Sequence, residues 1–176
     1  MKLKARRLKL KKISLTKEPE KQPETPLLTN KQFENKKNRG VFQVTPNLFM
    51  SGYDSACNKD SLHKFGISHV INLTSHHCPN SNFSEIEYSD FNLSDHPEFN
   101  LIPHLDQILN ILVSKIRQGK RVLVHCKMGI SRAPSIVIAF LIKSLGMPYE
   151  KAVDYILNIN SRVSPNLGYL IQLEGL

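Results

Sequence analysis

Residues 121–140 read RVLVHCKMGISRAPSIVIAF. An apolar run ends at His125-Cys126 and a second begins at Ile136, with a glycine, a serine and an arginine between them. A structural cysteine belongs inside an apolar run, where it packs as a small hydrophobe, not at its edge before a polar turn. The first run, RVLVH, is short and rich in valine, as a strand buried on both faces is. The second, PSIVIAFLIKSLG, is apolar nearly all round, which marks a central, buried helix. Strand, polar loop and buried helix therefore follow one another, with Cys126 at the strand's end and Ala133-Pro134 opening the helix. Pro134 suits a first turn, because its missing N–H would be an unpaired donor there anyway.

The pattern outward from this unit alternates in the same way. Leu101, Leu105, Ile108, Leu109, Leu112 and Ile116 recur at spacings of three and four, an amphipathic helix that Gly119 stops. Upstream, VFQVTPNLFMSG predicts one or two short strands broken by a Thr-Pro-Asn turn. DSLHKFG predicts a short helix ended by Gly66, and SHVINLT and EIEYSDFNL two further strands. Downstream, PYEKAVDYILNIN has Pro148 at a helical start, and PNLGYLIQLEGL reads as a final helix. Strands alternating with helices imply an α/β fold, a central mostly parallel sheet with helices on both faces.

The 176 residues suit one ordinary domain. The net charge of +9 suggests nucleic acid until its distribution is read. Residues 1–40 hold 13 Lys/Arg against 4 Asp/Glu, leaving 11 of each for residues 41–176. The basic signal belongs to a tail rich in Lys, Glu, Pro and Gln, which lacks the apolar surface to offset its ordering entropy. Residues 1–40 are thus expected to be a disordered tail, 41–176 the folded domain, and no nucleic acid is expected as a partner. Cys57, Cys78 and Cys126 are odd in number and irregularly spaced, so no disulfide framework is implied. The start lacks the apolar core of a secretion signal, so reduced thiols and a cytoplasmic or nuclear location are expected. No apolar run reaches the length of a membrane span.

The loop between strand and helix carries the chemistry. Ligands of α/β sheets collect at the C-terminal edge of the strands. The backbone N–H groups of Lys127, Met128, Gly129, Ile130, Ser131 and Arg132 can converge on an anion, reinforced by the helix dipole. Gly129 allows a backbone conformation closed to other residues, and Arg132 brings a planar fork that matches two phosphate oxygens. The same positive setting favours a thiolate at Cys126. A thiolate beneath a phosphoryl group is placed for in-line attack on phosphorus, and Ser131 can donate a hydrogen bond to help the sulfur leave. His125 is read as a support that hydrogen-bonds the loop backbone. A second group must protonate the leaving oxygen and then deprotonate water. LSDHPEFN offers Asp95, His96 and Glu98. Asp95, the first acid after the strand, is preferred, and Asp90 is disfavoured because it lies within the strand.

HCKMGISR matches the H-C-x5-R signature of cysteine-dependent phosphatases and resembles the dual-specificity branch, with Ser131 at the hydroxyl position. RVSPNLGYLIQL is similar to that branch's Pro-Asn-x-Gly-aromatic segment, VTPNLFMSGYDSA to its opening strand, and GISHVINLT to its second. The resemblance covers residues 41–176 and implies a protein-tyrosine-phosphatase-like fold, a phosphocysteine intermediate, no metal and no cofactor. It also places the general acid at Asp95. The N-terminal docking domain of larger MAP kinase phosphatases is missing, which points to a small atypical member. The tyrosine with which tyrosine-specific enzymes deepen their pocket has no counterpart in KKNRGVF. A shallow site admitting phosphoserine and phosphothreonine beside phosphotyrosine is implied, with phosphoproteins as substrates. The spelling HCKMG resembles the slingshot group, and Lys127 resembles the basic loop residue of lipid phosphatases, whose second loop cation is missing.

Other readings use the same residues: a phosphoinositide or RNA 5′-phosphatase, or a phosphoprotein-binding pseudophosphatase, whose usual sign is loss of the nucleophile. KARRLKLKK fits a solvated arm or a nuclear-import signal, and Arg6-Arg7 before Leu8-Lys9-Leu10 resembles a MAP kinase docking peptide. His76-His77-Cys78 is read as a loop, since three adjacent residues cannot wrap one ion without distant partners. Cys57 and Cys78 are candidate partners for an oxidised Cys126, with plain packing the preferred reading.

Overall fold

The computed structural model describes residues 40–74 and 83–176. Residues 1–39 of the expected tail of residues 1–40, with its docking-peptide pattern, and the loop His76-His77-Cys78 lie outside the described residues. Among those described, no helix is long and apolar enough to cross a membrane.

Five strands form one sheet: β1 (Phe42–Thr45), β2 (Leu48–Gly52), β3 (His69–Asn72), β4 (Glu87–Asp90) and β5 (Val122–Cys126). Their order is β1-β2-β5-β3-β4. β1 pairs antiparallel with β2 across the Pro46-Asn47 turn, and every other pairing is parallel. β5 is therefore the central strand, flanked by β2 and β3, and all five of its residues are buried. This is why the run reads as continuously apolar rather than alternating.

The period of two sorts β2, β3 and β5 onto two faces. Leu48, Met50, Ile71, Val122 and Val124 pack in the larger core, under α3 (Ile102–Arg117), α4 (Arg132–Leu145), α5 (Tyr149–Ile159) and α6 (Leu167–Glu174). Phe49, Val70 and Leu123 pack on the other face with Ala56 of α1 (Tyr53–Ala56) and Leu62 of α2 (Lys59–Lys64). Helices thus cover both faces, as the alternation implied. α4 is the central helix: residues 133–141 are all buried. Each fully buried aliphatic side chain there contributes about 1.5–3 kcal/mol, so the helix behind the loop is firmly seated.

Three details depart from the sequence reading. The four-residue α1 had no periodic signal. The strand in EIEYSDFNL is confined to Glu87–Asp90. Cys57 is disulfide-bonded while Cys126 is free, which corrects the expectation of reduced, merely packed thiols. Spacing along the chain says nothing about the short Cα separation a disulfide needs, so this was not readable from the sequence.

Candidate active site

β5 delivers Cys126 to the C-terminal edge of the sheet, where it stands in register with Gly52 at the end of β2. The cysteine is only 1% exposed, its side chain continuous with the larger core. Its sulfur accepts a hydrogen bond from the Gly129 N–H at 3.2 Å. The chain has therefore turned back over the sulfur within three residues, with Gly129 at φ 69°. Gly129 also presses against β2: a Cβ there would lie 2.6 Å from the Gly52 nitrogen and 2.8 Å from the Ser51 carbonyl carbon.

Two carbonyls pin the loop from outside. Lys127 O accepts from Tyr53 N at 3.1 Å, and Ile130 O accepts from Ser164 N at 2.9 Å. In a planar trans peptide the N–H opposes its carbonyl, so these anchors turn the Met128 and Ser131 N–H groups away from them. The Lys127 and Met128 side chains stand in solvent, Met128 at 56% exposure. Ser131 is the N-cap of α4 but makes no side-chain cap, because its hydroxyl is used elsewhere.

That hydroxyl donates to Asp95 Oδ1 at 2.6 Å. Asp95 lies in the segment between β4 and α3. Arg132, in the first turn of α4, donates from Nη1 to Leu93 O at 3.2 Å, and its Nε lies 3.5 Å from Asp95 Oδ2. The second contact is electrostatic, since the Nε–H is not aligned for a hydrogen bond. The Arg132 side chain is 13% exposed, so the guanidinium faces the site rather than bulk water. Cys126, Ser131, Arg132 and Asp95, separated by up to 37 positions, thus converge on one edge of the sheet.

The alternatives for the acid fall elsewhere. Asp90 sits on β4 and accepts from Asn72 Nδ2 at 2.9 Å. His96 and Glu98 are exposed, and the Glu98 N–H donates to His96 Nδ1 at 3.3 Å. His125 is buried beside the loop. Burial holds its imidazole at a pKa of about 4, with the Arg132 charge adding to that and the Cys126 backbone and Asp90 opposing it. It is neutral at neutral pH and no candidate for the acid.

The sequence marks the start of α6 by the Pro-Asn-x-Gly-aromatic segment but assigns no role to Asn166 or Tyr169. Asn166 Nδ2 donates to Asp95 Oδ1 at 3.0 Å, and the Asn166 backbone N–H donates to Ser131 Oγ at 3.2 Å. Tyr169 donates its hydroxyl to Ser94 O at 2.5 Å. Burial, then the Asp95 charge, pushes the Tyr169 phenol up in pKa, so it stays a donor. The local signals are that segment and an Asn before a helical run, the residue type of a helix cap. The partners 71 and 35 positions away leave no mark in the sequence.

A cleft of about 240 Å³ flanks the loop on the side of Phe42, Tyr53, Asp54, Met128 and Arg162. Its lining mixes apolar surface with charges of both signs.

The family model described as the dual specificity phosphatase catalytic domain matches residues 48–175. The chain is similar to protein phosphatase Slingshot of Drosophila melanogaster, 30% identical over 132 residues that take in 75% of this chain and 12% of that protein. It is also similar to human dual specificity protein phosphatase 8, 31% identical over 135 residues, 76% of this chain and 21% of that one. The chain thus spans a small fraction of the length of these relatives. Among solved structures, DUSP15 superposes with a TM-score of 0.73 at 27% identity, covering 79% of this chain and 87% of that one. The human tyrosine phosphatase-like serine/threonine/tyrosine-interacting protein gives a TM-score of 0.70 at 28% identity, covering 78% and 95%.

Proposed function

Because the chain belongs to the dual specificity phosphatase family, we propose that it hydrolyses phosphoproteins at phosphotyrosine and phosphoserine/phosphothreonine through a phosphocysteine intermediate. The observation that carries this reading is the Gly129 N–H aimed at the Cys126 sulfur, with Arg132 in the first turn of the helix behind it. An N–H donor and a helix N-terminus both stabilise the negative charge that returns to sulfur as the S–P bond breaks.

In the first step Sγ attacks phosphorus, and the bond from phosphorus to the side-chain oxygen breaks. Asp95 gives its proton to that departing oxygen. The loop N–H groups and the Arg132 fork hold the equatorial oxygens, where charge accumulates in the transition state. In the second step a water attacks phosphorus and gives its proton to Asp95, and the S–P electron pair returns to sulfur. Ser131 is the donor for that sulfur. In the structure its single proton goes to Asp95, so the hydroxyl must turn from carboxylate to sulfur as the intermediate breaks down.

A protein substrate is favoured over inositol lipid or RNA by the mixed charge of the flanking cleft, where Lys127 and Arg162 stand with Asp54. A polyanionic ligand calls for a surface of one sign. The test is the Cys126→Ser variant with an aryl phosphate and with orthovanadate. Turnover should be lost while oxyanion binding stays measurable. Undiminished turnover in that variant overturns the mechanism, and preferential release of phosphate from inositol lipid or RNA overturns the substrate class.

A further inference from the structure

Resting on the reading of Asp95 as the acid, we infer that Asn166 is a positioning residue for proton transfer. It holds the Asp95 carboxylate in place together with Ser131 and Arg132. The geometry fixes the orientation of the Asn166 amide without ambiguity. Its Oδ1 accepts from the Tyr169 N–H at 2.9 Å, capping α6. Its Nδ2 must therefore point the other way, and there it donates to Asp95 Oδ1 at 3.0 Å. The backbone N–H of the same residue donates to Ser131 Oγ at 3.2 Å. With that lone pair engaged, the Ser131 proton is free to be directed at Asp95.

The Asp95 Oδ1 atom thus receives two hydrogen bonds, one from Asn166 and one from Ser131. Both are stronger to a carboxylate than to a carboxylic acid. They fix the position of the carboxylate through Oδ1 and leave Oδ2 to face the transfer. The other charged or titratable groups near Asp95 are Arg132, Tyr169, the thiol of Cys126 and the adjacent His96. Arg132 works in the same direction but must also serve the phosphate. Tyr169 donates to Ser94 O rather than to the carboxylate. Asn166 is the neutral donor at Asp95 that the phosphoryl group need not engage, so its contribution persists through both steps.

The discriminating variant is Asn166→Asp. Aspartate keeps the side-chain oxygen that caps α6, removes the amide donor and sets a like charge beside Asp95. Wild type, Asn166→Asp and Asp95→Ala are compared on 4-nitrophenyl phosphate and on a phosphothreonine peptide, with orthovanadate affinity and thermal melting recorded for each. Nitrophenolate leaves with little help, whereas an alkoxide needs its proton. For Asn166→Asp the expected result is unchanged vanadate affinity and a kcat on the peptide that falls about tenfold more than on the aryl ester. The limb of the peptide pH–rate profile that disappears in Asp95→Ala should move up by about one pH unit, as a neighbouring like charge requires.

An equal fall on both substrates with an unmoved limb reduces Asn166 to a helix cap and overturns the inference. If Asp95→Ala itself keeps the limb, the assignment of the acid fails and this inference fails with it. Should Asn166→Asp melt early, Asn166→Ser retains a capping oxygen without the added charge. The same separation between the two substrates, with a smaller shift of the limb, is then required.

Discussion

At Gly129 one methyl group would undo the site. The residue sits at φ 69°, where a side chain is strained, and an added Cβ would meet the backbone of Ser51 and Gly52 at 2.6–2.9 Å. Backbone cannot swing aside as a flexible side chain can, so the loop itself would have to move. Gly129→Ala should cost on the order of 1–3 kcal/mol of stability. It should also withdraw the N–H from the sulfur and lower kcat on an aryl phosphate by at least about tenfold, one donor's worth of electrostatic stabilisation. Urea denaturation and steady-state kinetics measure the two effects. Wild-type values for both would mean that neither the backbone conformation nor the contact with β2 matters. The sequence announced the need for glycine here, but not the reason. The positive φ follows from the tightness of the turn, whereas the contact with Gly52 exists only once β2 and β5 lie side by side.

At the scale of an element, α6 and its cap grip the segment that carries Asp95 along its whole length. Asn166 holds Asp95 and Tyr169 holds Ser94. Gln172 donates to Phe99 O at 3.0 Å and accepts from Leu101 N at 2.6 Å. Between these contacts Gly168 lets the Pro97 backbone approach so closely that a methyl group would overlap the Pro97 carbonyl oxygen. Gly168→Ala should therefore push the Asp95 segment off the helix, at on the order of 1–3 kcal/mol. Turnover of the phosphothreonine peptide should suffer more than that of the aryl ester. Equal kinetics on both, with unchanged urea midpoints, would show that the segment is held by other means. The periodicity of the chain marked α6 as a terminal helix and gave no hint of this task. A helix that packs and a helix that also braces a loop have the same apolar spacing.

At the scale of the whole molecule, the protein should weaken well before its surface carboxylates titrate. His125 is neutral in the fold, with burial keeping its pKa near 4, and burial lowers His69 as well. In the unfolded chain both would titrate near the ordinary value of about 6.5. Between those values the unfolded state binds protons that the folded state refuses, so stability rises with pH there. It is fully present above about pH 6.5 and is lost as pH falls toward 4. For His125 alone the loss is about 3 kcal/mol. Glu85 and Glu87 sit at about 2, the first held by His63 and Lys59, the second by Lys115 and Lys120. Their contribution is present above about pH 4.5 and fades only below it. Denaturant midpoints should therefore drop between pH 7 and pH 4.5, and His125→Gln should flatten most of that slope. An unchanged slope in the variant would assign it to other groups.

What the sequence by itself determined is what depends on local order. The mostly apolar RVLVH and PSIVIAFLIKSLG are stabilised as a central strand and a central helix, and the eight residues between them had to turn the chain at the strand's end. Cysteine and arginine at that spacing then match the H-C-x5-R signature of the family. The tertiary structure alone decided what depends on segments meeting across the chain. It set the seating of Gly129 against β2, the disulfide at Cys57, the hold of α6 on the Asp95 segment, and the sharing of Asp95 between Ser131 and Asn166. Such contacts form between backbones and short polar side chains with no periodic signature. They are fixed only when burial of the two cores sets the distances between elements.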